Sequence, residues 1–187
     1  MRTMEEIAKL VAQRQSEAKE AVNNFILGAT NGNMHLFSSG LDGLGKRGAW
    51  VAGFRKLVRT GGVHPNIKDK FADIWVMWGD SLRNEINDDL LLIDAMRLLL
   101  APYEGPAVTV YRGDSAHNRR RRTYGISWSS SLDVARDFAV SGCRYYDGGS
   151  VLIKALAPAD AIVYAPALRV RPESLVGIAK PSKHEPN

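Results

Sequence analysis

The sequence has one cysteine in 187 residues. That excludes a disulfide framework and any zinc site built from several thiolates. Histidine is scarce as well. His35, His64, His117 and His184 are scattered without ligand spacing, so no metal is expected. No apolar run approaches the roughly 18 residues that would read as a membrane helix. The longest, residues 90–101, is interrupted by Asp94 and Arg97, and no membrane association is expected. The opening MRTMEEIAKLVAQRQ carries acids early and lacks the apolar stretch of roughly 7–15 residues that a signal peptide needs. The expectation is a soluble, cytoplasmic protein. Charge of one sign is only mildly in excess: 25 Lys and Arg against 20 Asp and Glu give a net charge of +5. That permits an anionic partner without demanding nucleic acid. At about 150 residues per domain the length favours a single domain.

What is present divides into two halves. Over residues 4–27 apolar side chains fall at Ile7, Leu10, Val11, Ala18, Ala21, Val22, Phe25 and Ile26, the spacing of one helix face. Residues 28–48 contain Gly28, Gly32, Gly40, Gly43, Gly45 and Gly48 and are expected to be a loop. Helices are expected at 49–58, at 68–86 with Phe71, Ile74, Trp75, Trp78 and Leu82 on the inner face, and at 88–101 with Asn87 as N-cap. Beyond Pro102 the pattern shortens. Strands are expected at 107–111, 125–129, 150–155, 161–164 and 174–179. A helix over 132–140 sits among them, with Val134, Ala135, Phe138 and Ala139 facing inward. Helices first and strands later argue for an α+β fold rather than a wound parallel sheet. The expected division is a helical lobe over 1–103, a strand-rich core over 104–180 and a frayed tail over 181–187.

Three features of the second half carry chemistry. The first is Tyr111-Arg112-Gly113 at the end of an apolar strand. Arginine offers five fixed donors suited to bidentate phosphate recognition, and the following glycine permits close backbone approach. The second is Ser127-Trp128-Ser129-Ser130-Ser131 before Leu132 and the DVARDFA segment. Ser130 with Asp133 fits a capping box; the other hydroxyls are left to orient a carboxylate or bind ribose hydroxyls. The third is Glu173. After Asp160 the only acids are Glu173 and Glu185, and Glu185 lies in the tail.

An arginine on a first strand, Ser-x-Ser-Leu ahead of an Ala- and Phe-bearing helix, and a glutamate at a last strand resemble, in that order, the arginine–serine–glutamate class of mono-ADP-ribosyltransferases. That class includes bacterial toxins and small phage-encoded transferases. The resemblance spans about residues 107–179, and the serine block is its most specific element. It implies a mixed or antiparallel β core that binds NAD as a substrate. It implies Arg112 on the NAD phosphates, with Gly113 beside it. Ser129 and Ser131 become the two serines of the family's Ser-Thr-Ser motif, or Ser127 and Ser129 in an offset register. Trp128 walls the nicotinamide pocket or fills the core. Glu173 becomes the catalytic residue, hydrogen-bonded to the ribose 2′-hydroxyl. Many members carry Glu or Gln two residues before that glutamate. Here the position is Arg171, which would repel a guanidinium acceptor. The acceptor is then a protein carboxylate or hydroxyl, a nucleic acid, or water, and water would make the protein an NAD glycohydrolase.

Four arginines at 119–122 precede the serine block. They are a solvated loop, or Arg119 and Arg120 contact the NAD phosphates or an anionic acceptor. Gly43-Leu44-Gly45-Lys46 lacks the phosphate-loop pattern. Trp75 and Trp78 are expected in the core, and Cys143 is expected to be structural. Two other function classes stay open: a catalytically silent binding or inhibitor protein of the same fold, and a basic nucleic-acid-binding domain using the arginine run.

Overall fold

Two separate patterns of burial organise the chain. A computed structural model describes residues 2–142, 148–165 and 175–178. The chain divides into two compact units, Met1–Ala101 and Pro102–Asn187.

The first unit is helical. Helix α1 spans Met4–Asn31 and α2 spans Met34–Arg47. A capping box opens α1: the Thr3 side chain accepts from the Glu6 amide, and the Glu6 carboxylate accepts from the Thr3 amide. Gly32, at φ 70°, ends α1 in the left-handed conformation, and the Asn33 side chain caps α2 by accepting from the Leu36 amide. Residues 28–48 are therefore not a loop. Their glycines serve the packing of the two helices. A Cβ on Gly28 would overlap the Phe37 backbone, and one on Gly40 would overlap the Phe25 backbone. Gly43 would bring a Cβ within 2.7 Å of the Ala21 side chain. Glycine here lets helix backbones touch, at a propensity cost of about 1 kcal/mol each relative to alanine.

Helix α3 spans Trp50–Thr60, α4 spans Pro65–Ile86 and α5 spans Asp89–Leu99. Phe25, Phe37 and Phe54 are fully buried, and the Phe25 ring stacks on the other two at 5.5 and 5.9 Å. The inner stripe of α4 is Ile67, Phe71, Trp75, Gly79, Leu82 and Ile86. Trp78 is 59% exposed, against expectation. The stripe advances by fours from Ile67 to Gly79, and Trp78 falls one residue short of it. Asn87 is not the cap of α5. It closes α4 in the left-handed region at φ 47°, and the Asp88 side chain caps α5 by accepting from the Leu91 amide. Asparagine tolerates that conformation where most side chains do not.

The second unit is an antiparallel sheet with helices, so the chain is α+β. Its strands are β1 (Val108–Ser115), β2 (Ser127–Ser129), β3 (Ser150–Ala157), β4 (Ile162–Tyr164) and β5 (Leu175–Ile178), in the order β3-β1-β2-β5-β4. Helix α6 (Ala116–Arg121) joins β1 to β2, and α7 (Leu132–Gly142) lies between β2 and β3 in sequence. β1 pairs β3 over eight residues, from Val108 opposite Ala157 to Ser115 opposite Ser150. One face of the sheet buries Val110, Ala157 and Ile162, with Tyr103 and Trp128 packed on them. The other face of β1 meets α7: a Cβ on Gly113 would overlap the Ala135 carbonyl and the Ala139 amide. Ala135 and Ala139 are buried, but Phe138, expected to face inward, is 57% exposed.

Candidate functional site

Strand periodicity places Val110, Arg112 and Asp114 on one face of β1, and Tyr111, Gly113 and Ser115 on the face under α7. β1 meets β2 at a single registered pair, Tyr111 opposite Ser129. Beside that pair the connection is made by a side chain. Arg112 Nη1 donates to the Ser127 carbonyl at 2.6 Å, and Arg112 Nε donates to Asp114 Oδ2 at 2.7 Å. A Cβ on Gly125 would sit in the Arg112 guanidinium, so the glycine before Ile126 leaves room for that group. Arg112 is thus a cross-strand strut. It is not an arginine running out into solvent.

Asp114 is the centre of this network. Its side chain is 5% exposed and that of Arg112 is 22% exposed. Asp114 Oδ1 accepts from the Ser115 amide and from Asn118 Nδ2, both at 2.8 Å. Burial pushes the Asp114 carboxyl up. The hydrogen bonds from Arg112 and Asn118, the Arg112 charge and the Ser115 amide outweigh it and hold the carboxyl below its ordinary value. Ser115 in turn caps α6, its hydroxyl accepting from the Asn118 amide at 3.0 Å. Sequence reasoning passed over Asp114, Asn118 and Gly125. Two signals pointed to them: Arg112 and Asp114 are two apart on a strand and so share a face, and Ser115 is a cap-forming residue three before Asn118.

The serine block is part strand and part cap. Ser129 is buried, and its hydroxyl accepts from the Ser131 amide at 3.0 Å. Ser131 occupies the cap position of α7. Its carbonyl accepts from the Ala135 amide at 3.3 Å and its hydroxyl from the Val134 amide at 3.4 Å. The cap is Ser131, where Ser130 with Asp133 was expected; Asp133 instead pairs with Arg136 at 2.8 Å. Trp128 packs on the Val110 cluster, with the Tyr124 ring edge-on at 6.4 Å. By alternation, Trp128 shares the Arg112 face, while Ser127 and Ser129 share the Tyr111 face.

β5 pairs β2 antiparallel, with Ser127 opposite Gly177, Trp128 opposite Val176 and Ser129 opposite Leu175. Glu173, two residues before Leu175 in sequence, lies outside the described residues, as do Arg171, Cys143 and the tail from 179 onward. The arginine run is not a loop. Arg119, Arg120 and Arg121 form the last turn of α6, and Arg122 closes it in the left-handed conformation at φ 54°. All four are exposed. The Arg120 guanidinium lies nearest Gly148, about where a Cβ there would meet it at 3.4 Å. Among the described residues no group of three or more His, Cys, Asp or Glu is placed to hold a metal, and no helix is long and apolar enough to cross a membrane. No protein-family model, no curated protein and no solved structure matches this chain.

Proposed function

We propose that the protein is an ADP-ribosyltransferase that cleaves NAD at the nicotinamide–ribose bond. It would pass ADP-ribose to a macromolecular acceptor, in the setting of a toxin or phage effector. One observation carries this reading. Strands β1, β2 and β5 are neighbours in one antiparallel sheet. They bring the arginine strand and the serine block side by side, and β5 begins two residues after Glu173. The arginine strand and the serine block thus adjoin in the fold, and the strand that pairs with the serine block is the one that follows Glu173 in sequence.

In the reaction, the bond between ribose C1′ and the nicotinamide nitrogen breaks. Its electron pair leaves with the ring, turning a cationic pyridinium into neutral nicotinamide. The ribose takes up positive charge. The acceptor nucleophile then bonds to C1′ and gives up its proton. A leaving group that departs neutral needs no strong acid, which suits a region without an evident acid–base pair among the described residues. A carboxylate at Glu173 would stabilise charge that exists chiefly in the transition state. Arg112 retains N–H groups beyond the two given to Asp114 and Ser127, and these would meet the pyrophosphate.

The test is nicotinamide release from NAD in a cell lysate, with labelled ADP-ribose followed onto protein, nucleic acid or water. Glu173→Ala should lower turnover on the order of 10²–10³-fold, the scale of losing one preorganised electrostatic group, while the helical content is unchanged. Full turnover by that variant would refute the assignment. NAD binding by the parent chain without any turnover would instead favour a catalytically silent binding protein. The engagement of Arg112 by Asp114 and Ser127 is the observation that keeps that second reading in view.

A further inference from the structure

We propose that the groove between α1 and α3 binds the phosphate backbone of a single-stranded nucleic acid. It lies wholly within the helical unit and does not depend on the NAD reading. Its volume is about 580 Å³, within the general range of ligand sites. Lys19 comes from α1, and Arg55, Lys56 and Arg59 come from α3, over a floor of alanine and valine. Among the described residues no carboxylate lines it.

The charge is unspent. Among the described residues Lys46, Arg47, Arg83 and Arg97 of the same unit have acidic partners, Asp42, Glu17, Asp89 and Asp94, while its other cations have none, and what sets the groove apart is that four of these converge on one cavity. Among the described residues none of the four groove cations has such a partner. Lys56 Nζ donates to Asn23 Oδ1 at 2.6 Å across the groove, a neutral partner that positions the ammonium without cancelling it. A cluster of like charges costs folding energy through mutual repulsion, and an anion is the natural relief.

Three features narrow the anion to a strand of phosphates. Arg55 and Arg59 are one helical turn apart, about 6 Å along the axis at roughly 1.5 Å per residue, so they address successive groups. Arginine forks match phosphate oxygens in pairs. The groove is lined from two neighbouring helices, α1 and α3, and a furrow of that form would seat one chain of phosphates. Among the described residues no aromatic side chain lines it, so bases would not be stacked, and recognition would be insensitive to sequence and strongly dependent on salt.

The test is fluorescence anisotropy of a labelled 20-nucleotide oligo-dT with the full chain between 50 and 200 mM KCl. Four cations predict a slope of log affinity against log salt of about −2.8, at roughly 0.7 per phosphate neutralised on a single strand. The double variant Arg55→Ala/Arg59→Ala should flatten that slope by about 1.4 and melt no lower than the parent, since both side chains are exposed and the like-charge repulsion falls. Arg55→Lys/Arg59→Lys should keep the slope, because counterion release follows charge. Each of the following would overturn the proposal: no binding at 50 mM KCl, binding carried instead by Arg119 and Arg120, displacement by an oligo-glutamate peptide at equal charge, or displacement by tripolyphosphate at equal phosphate.

Discussion

Replacing Asp114 by asparagine isolates the energetic centre of the sheet. The side chain keeps its shape, and Oδ1 can still accept from the Ser115 amide and Asn118. What changes is the Oδ2 edge, where an amide would point N–H groups at Arg112 Nε, now 2.7 Å from a carboxylate oxygen. Removing one partner of a fully buried ion pair costs about 3–5 kcal/mol. Arg112 is 22% exposed and keeps the Ser127 carbonyl, so water and that bond recover part of the loss. The expected cost is about 2 kcal/mol, or roughly 30-fold faster hydrogen exchange across the ladder between β1 and β3. Exchange measured by mass spectrometry on those two strands reports this unit without interference from the helical one. The pH dependence has a defined sign. Asp114 has a folded pKa below its ordinary value, so its contribution is present above the ordinary carboxylate range, near 4, and is lost as pH falls through the lower folded value. The gap between parent and variant should therefore be flat from pH 8 to about 5 and shrink below about 4. A gap under about 0.5 kcal/mol, the scale of a neutral surface change, or one that widens in acid, would show that the network does not hold the sheet.

Three further substitutions test the packing and the caps. Gly40→Ala forces a Cβ into the Phe25 backbone; it should destabilise the helical unit by about 1–3 kcal/mol through overpacking, read as a lower urea midpoint by circular dichroism. A neutral or stabilising result, as helix propensity alone would give, would count against close α1–α2 contact. Ser131→Ala should cost about 1 kcal/mol as a lost cap of α7, whereas Ser130→Ala should be nearly silent in the same thermal melts. The reverse ranking would restore the Ser130–Asp133 box.

Element type was legible wherever periodicity spoke without competition. Helices α3, α4 and α5 and strand β3 begin and end within a few residues of their expected bounds. The serious miss, residues 28–48, came from reading glycine as a chain breaker. A glycine at a turn and a glycine at a helix crossing look the same in one sequence. Only the partner backbone separates them: Phe37 for Gly28, and Phe25 for Gly40. Ile7, Leu10 and Val11 kept the helical period yet are exposed, because periodicity reports a face and not whether anything covers it. Within the candidate site, the residue types at Arg112 and the serines were legible. Their present bonds were not, because the Arg112–Asp114 and Arg112–Ser127 pairings depend on how β2 lies against β1 around one registered pair.

The bonds of Arg112 bear on how any NAD site here would divide its work. Arg112 and Asp114 form a pair that is neutral as a unit, so its attraction for a distant pyrophosphate is weak. The carboxylate also sets the guanidinium in place before a ligand arrives, which lowers the ordering cost of a later phosphate contact. Long-range attraction must then come from charges without acidic partners. Arg119, Arg120 and Arg121 in the last turn of α6 are exposed and have none among the described residues. α6 itself is capped by Ser115, the residue next to Asp114, and Asn118 on α6 donates to Asp114. The same few bonds that hold the strut therefore also tie the start of α6, whose last turn carries the arginines, to Asp114. Geometry at Arg112 and charge at α6 are parts of one structure, so a loss at Asp114 would reach both.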